Sequence, residues 1–153
     1  MIAVLGGIPS KVYTLIAPLS EAQLAWRPAE GEWSIKEVLC HLRDAAEVYG
    51  LRMQRIATED NPFLPGYDQE AYARDRKYQE EIVPSVIMVF TEHRLATHTL
   101  LRKLPPEAWA RTGVHEEAGP MTLEQMAERT VNHELEHLTH LRRLKEQALA
   151  AKP

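Results

Sequence analysis

The placement of proline constrains this chain more than any other feature of its sequence. Pro18, Pro28, Pro62, Pro65, Pro84, Pro105, Pro106 and Pro120 fall between four stretches in which apolar residues recur every three or four positions. Proline breaks a helix interior and cannot donate within a central strand, so these residues mark boundaries. The first stretch carries Ile8, Val12, Leu15, Ile16 and Leu19. The second begins at Ser34 and carries Val38, Leu42, Ala45, Val48, Tyr49 and Ile56. The third begins near Pro84, whose fixed φ suits a first helical turn, and carries Ile87, Phe90, Leu100, Leu101 and Leu104. The fourth begins at Thr122 and carries Met126, Thr130, Leu141 and Leu144. None alternates with a period of two, so the expectation is an all-α chain of four helices with no sheet.

Two helix starts are signed chemically. In Ser34-Ile-Lys-Glu37 the serine oxygen can accept from the Glu37 N–H while the glutamate reaches back, a capping box. Thr122-Leu-Glu-Gln125 repeats it. Trp33 with Val38, and Met121 with Met126, stand in hydrophobic-staple positions. Leu19-Ser-Glu-Ala precedes the second helix much as Leu104-Pro-Pro-Glu-Ala precedes the fourth, which reads as two helical hairpins of similar design. The segment from Glu59 to Val83 is too long for a tight turn. The expected architecture is a four-helix bundle with one long crossover between helices 2 and 3, itself helical around Gln69 to Lys77. A chain of 153 residues suits one domain, residues 1–153, and can bury roughly 70% of its unfolded surface.

Composition narrows the function. Eighteen basic against 22 acidic side chains give a net charge of −4, which argues against nucleic acid or an anionic membrane as the main partner. No run approaches the ~18 apolar residues of a membrane span. The start lacks a basic segment and meets Gly6, Gly7 and Pro9 early, so a cytoplasmic protein is expected. The single cysteine, Cys40, excludes an intramolecular disulfide and a Cys-rich zinc site. It points about 100° away from its neighbour His41 on a helix and reads as a small buried hydrophobe.

Seven histidines are the surplus. His133 and His137 are four residues apart, about 40° around a helix and about 6 Å along it, the spacing for chelating one ion. They share a stripe with Met126, Thr130, Leu141 and Leu144. An apolar stripe that carries two imidazoles must satisfy their nitrogens, and a metal does so. By spacing alone His137/His140 is an equal pair. A catalytic metal usually has three protein ligands and an open position. His41 is the best third candidate, because Val38, Ala45, Val48 and Arg52 share its face. His93 and His98 compete, and His115 falls in a Gly-containing loop where solvent is expected.

The run from Gly31 to Asp44 (GEWSIKEVLCHLRD), the segment from Glu59 to Asp68 (EDNPFLPGYD) and the downstream HELEHL from His133 together resemble the DinB/YfiT-like family of metal-binding four-helix bundles. The resemblance covers nearly the whole chain. It implies that His41, His133 and His137 are the metal ligands, and so prefers His133/His137 over His137/His140. It also implies a cytosolic homodimer holding a divalent metal, zinc or nickel first, then manganese or iron. Several such proteins resemble thiol S-transferases that use bacillithiol, mycothiol or glutathione.

Three neutral imidazoles leave the metal an open site, where either water or a small thiol can be activated. The residues do not choose between hydrolysis and thiol transfer, nor between these and a non-catalytic metal- or ligand-binding stress protein; the resemblance favours a small-thiol transferase. Glu37 and Asp44 are candidates to orient His41. Arg52, about 16 Å along the helix from His41, reads either as an anchor for a substrate carboxylate or as an interhelical ion pair. His133-Glu134-x-x-His137 matches the zincin protease motif, with Glu134 as general base, but it lacks the metzincin continuation and a substrate-binding strand. Trp26, Trp33 and Trp109 are placed to close the bundle's ends. Tyr67, Tyr72 and Tyr78 either line an entrance or pack the crossover. Val131, Leu135 and Leu138 form a second apolar line on the fourth helix, which suggests the dimer face.

Overall fold

The computed structural model describes residues 1–153. Four long helices dominate: α1 (Ile2–Ile16), α3 (Ile35–Thr58), α5 (Val83–Lys103) and α6 (Leu123–Ala151). Between them lie the short helices α2 (Glu21–Ala25) and α4 (Gln69–Asp75), and the strands β1 (Phe63–Leu64), β2 (Thr112–His115) and β3 (Gly119–Thr122). Both predicted capping boxes are formed, at Ser34 and at Thr122, and Ser20 makes a third for α2. The crossover helix falls where its spacing placed it, capped by Asp68, which accepts from the N–H groups of Glu70 and Ala71. No helix is long and apolar enough to cross a membrane.

Three features depart from the expectation. First, α1 begins well upstream of Ile8 and runs through Gly6, Gly7 and Pro9. Their local cost is offset by burial of Leu5, Ile8, Val12 and Ile16 against the other helices. Second, the all-α reading is only approximate. A three-stranded sheet is present, with β1 parallel to β2 and β2 antiparallel to β3. Third, the helices do not form two hairpins. α3 packs on α5 and α6, and α1 also packs on α5 and α6. Consecutive long helices α1/α3 and α5/α6 therefore lie across the bundle's diagonals. The repeated connections, residues 17–34 and 104–122, serve to cross the bundle end, so the segment between α3 and α5 is not the only long one.

The close α3–α5 contact depends on Gly50, where a Cβ would come within 2.7 Å of Thr97 Oγ1. On the opposite side His98 fills the space over Gly6, 2.9 Å from where a Cβ would stand. The apolar core joins Ile8, Val12, Val38, Leu42, Phe90, Leu138 and Leu141 into one cluster. Val131 and Leu138 are buried in the chain's own interior, and only Leu135 of the second apolar line is exposed. That line is therefore explained without a partner.

Candidate metal centre

Ser34 starts α3 and Thr122 starts α6, and the adjacency of these helices brings His41 opposite His133 and His137. The three rings form a near-equilateral triangle, with centroids 5.0 Å (His41–His133), 4.7 Å (His41–His137) and 4.5 Å (His133–His137) apart. One nitrogen from each ring can be chosen so that all lie within 4.8 Å of one another. His41 Nε2 and His133 Nε2 face each other at 3.0 Å; two nitrogens on a tetrahedral metal at about 2.0–2.1 Å are about 3.3 Å apart. His93 and His98 are not in this group. His140 stands outside it, its ring 6.2 Å from that of His137.

The protonation states suit metal coordination. Burial, aided by the neighbouring His137, pushes the His41 imidazole down to about 3. Burial and the other two rings push His133 to about 3, and burial with His140 pushes His137 to about 4. All three are neutral near pH 7, the form that offers a lone pair. The buried Nδ1 atoms of His133 and His137 have no protein hydrogen-bond partner. Neutral imidazoles with unmet nitrogens fit a borderline-soft divalent ion.

Tyr67 covers the third ring. Its hydroxyl is 3.3 Å from His41 Nδ1, and the two rings are nearly parallel, 8° apart. The Tyr78 hydroxyl donates to Asp44 Oδ2 at 2.5 Å. Asp44, fully buried, also accepts from Arg43 and Arg76. Asp44 is thus occupied by Tyr78 and two arginines and does not orient His41 directly. Glu37 is occupied by Arg27 and its own capping box, so it does not orient His41. Tyr67 was visible in sequence only as one of three crossover tyrosines. The sheet fixes it: β1 pairs with β2, the Gly66 N–H donates to Glu116, and Arg52 donates to the Pro65 carbonyl.

Trp33 flanks His41, its ring centroid 5.3 Å away, and Tyr49 meets His133 edge-on at 5.2 Å. Two cavities reach the rings. One of about 360 Å³ includes Trp33, Glu70, His137, His140 and Arg143. The other, about 450 Å³, includes Tyr49, Arg129, Asn132 and His133.

Several sequence readings change. Glu134 turns away from the triangle and ion-pairs with Arg94 of α5, at 1% and 0% exposure. Burial raises the Glu134 carboxyl against the pull of Arg94. Arg52 makes no ion pair; no carboxylate comes within salt-bridge distance of it. His115 is 3% exposed on β2 rather than solvated; its Nδ1 accepts from the N–H groups of Glu117 and Ala118. Cys40 is buried, and burial pushes its thiol up to about 12, which leaves it inert at neutral pH.

Known proteins resemble this chain in sequence and fold. The model of the DinB superfamily matches residues 8–141. The "Putative metal-dependent hydrolase BH0277" of Halalkalibacterium halodurans is 27% identical over 134 residues, 88% of this chain and 78% of that one. The "Putative metal-dependent hydrolase YfiT" of Bacillus subtilis is 26% identical over 145 residues, 94% and 81% of the two chains. The solved structure of YfiT superposes with a TM-score of 0.88 at 24% identity, covering 95% of this chain and 84% of that one. Its description speaks of "an unusual four-helix bundle topology".

Proposed function

The chain belongs to the DinB superfamily, and from that premise we propose that it is a metal-dependent enzyme in which His41, His133 and His137 hold a divalent cation, zinc or nickel, that activates a small thiol for transfer to a small-molecule electrophile. The observation that carries the reading is the triangle of neutral imidazoles with converging nitrogens. When bound, the cation supplies Lewis acidity that deprotonates a thiol outright or lowers the pKa of water toward ~7. The chain's own residues do the rest. Tyr67 accepts from the Nδ1–H of His41 and so presents Nε2 to the ion. Trp33 and Tyr49 wall the rings and limit water.

The position of Glu134 supports thiol transfer over hydrolysis. A base that takes a proton from water must be within reach of it, and this carboxylate is committed to Arg94. A coordinated thiol is acidified further than coordinated water and can lose its proton to solvent without a positioned base. The hydrolase reading is the second, favoured by the names of the relatives.

The test is an anaerobic assay of zinc- and nickel-loaded protein with a small thiol and a chromogenic aryl halide, beside an aryl ester without thiol. Metal-dependent S-conjugation that His137→Ala abolishes is expected. Ester hydrolysis without thiol would favour the second reading, and conjugation unchanged by chelator would sink both.

A further inference from the structure

Leu138 follows His137 on α6 and so points about 100° away from it. It is the buried floor of a cavity of about 370 Å³ between α1 and α6, within the size range of small-ligand sites, about 300–1,000 Å³. On α6 the stripe Leu138, Arg142, Lys145 lines one wall, and on α1 Lys11 and Leu15, one turn apart, line the other. Spacings of three and four put each set on one helix face. No carboxylate lines this cavity, and none lies within ion-pair distance of Lys11, Arg142 or Lys145. The cavities beside the imidazoles differ. Glu32 and Glu70 line the one on His137, and Glu128 and Glu136 the one on His133. In a chain of net charge −4, three cations around an apolar floor with no acid among them are a local reversal of charge. Lys145 donates to the Leu15 carbonyl at 2.8 Å, which holds its ammonium over the last turn of α1 and leaves two of its three donors. That contact accounts for Lys145 as a support of α1. Lys11 and Arg142 have no such anchor.

Two ammoniums and a guanidinium on one concavity fit an anion. A phosphate monoester carries about −1.5 to −2 charges near pH 7 and three strong acceptor oxygens, and so matches three cations better than a carboxylate with its single charge. The Ser10 hydroxyl lines the same cavity and adds a neutral donor. Leu15 and Leu138 offer apolar contact to the organic part of an ester, which inorganic phosphate lacks. We propose that Lys11, Arg142 and Lys145 bind the phosphate group of a small phosphate monoester, whose apolar part rests on Leu15 and Leu138. The site lies on another face of α6 from the imidazole triangle and does not rest on the metal-centre reading.

The test is calorimetric titration of the metal-free protein at low salt with phenyl phosphate, inorganic phosphate and benzoate. A phosphate can also ligate a metal, so His41→Ala/His137→Ala is titrated beside wild type and should bind equally. Phenyl phosphate is expected to bind most tightly, benzoate at least about tenfold more weakly, and added salt to weaken both. Lys11→Gln and Arg142→Gln, both at exposed positions, should each weaken phenyl phosphate about tenfold, as for the loss of one charge-assisted contact. Co-sedimentation with phosphatidylcholine vesicles containing phosphatidic acid distinguishes a lipid headgroup from a soluble ester, and no binding is expected. Absence of phenyl phosphate binding at millimolar concentration, equal affinity in both single variants, or equal binding of benzoate would each overturn the proposal. So would loss of binding in His41→Ala/His137→Ala, which would move the anion to the imidazoles. Vesicle binding without binding of the soluble ester would assign the cations to a lipid surface and overturn it as well.

Discussion

His133 and Glu134 are consecutive on α6, and both turn into polar contacts inside the molecule, yet their surroundings are opposite. Glu134 meets Arg94, charge against charge, both sealed from water. His133 meets His41 and His137, three uncharged rings that can place one nitrogen each within 4.8 Å of one another. The first cluster balances its charge within the chain, and its role is to join α5 to α6. The second has no charge to balance and brings three lone-pair donors toward one point. Buried polarity alone therefore does not mark a site; neutral donors that converge do.

The sharpest way to break this contrast is to remove one member of the closed pair. Arg94→Met leaves a buried carboxylate without its cation, and a loss of about 3–5 kcal/mol in chemical denaturation is expected. Replacing both, Arg94→Met with Glu134→Leu, should recover most of it, because an apolar pair needs no compensation. Metal binding by the double variant should stay near wild type. If metal is lost instead, Glu134 belongs to the site and the division of α6 is wrong.

A pH series separates the clusters next. The folded-state values of about 3, 3 and 4 for His41, His133 and His137 lie below the ordinary value of about 6.5. Between those limits the unfolded chain binds protons that the folded chain does not, so stability rises with pH. Above about pH 6.5 this contribution is complete, and it is lost as pH falls toward the folded-state values. Urea melts of metal-free protein should show up to roughly 2 kcal/mol lost per histidine between about pH 6.5 and about pH 5. A flat profile would mean that the rings are not held neutral.

The smallest effect concerns the support of His41. Tyr67→Phe removes the hydroxyl facing Nδ1 and should weaken metal binding about tenfold in competition with a chelating dye. His140→Ala should leave it within about twofold, since a single ring 6.2 Å from His137 supplies neither a ligand nor a ligand's partner. Equal losses in the two variants would remove the distinction between a supporting tyrosine and a bystander.

Much of this was legible in the chain. The capping boxes at Ser34 and Thr122 were read because their chemistry is local. His133 and His137 were read because helical spacing sets their geometry. The choice of His41 needed the family resemblance as well as the stripe, since contact between α3 and α6 is a tertiary fact. The sheet was missed because its strands are two to four residues long and contain Gly113, Gly119 and Pro120, too short and too broken to show alternation. The diagonal order of helices was missed because similar connections read equally well as hairpins. Arg94 had a signal that went unread: Phe90, Arg94, Thr97 and Leu101 share one stripe, and all four are buried. Glu134 shares a stripe with Val131, Leu138 and Leu141. The motif His-Glu-x-x-His drew attention to its chemistry, and the stripe showed its packing.

The central claim is that three imidazoles, and not the neighbouring carboxylate, make the metal site. Elemental analysis of protein expressed with ample zinc and nickel tests it most directly, comparing wild type with His41→Ala/His137→Ala. The account predicts about one bound divalent ion per wild-type chain and none in the double variant. Metal-free wild type, or an unchanged stoichiometry in the variant, would contradict it.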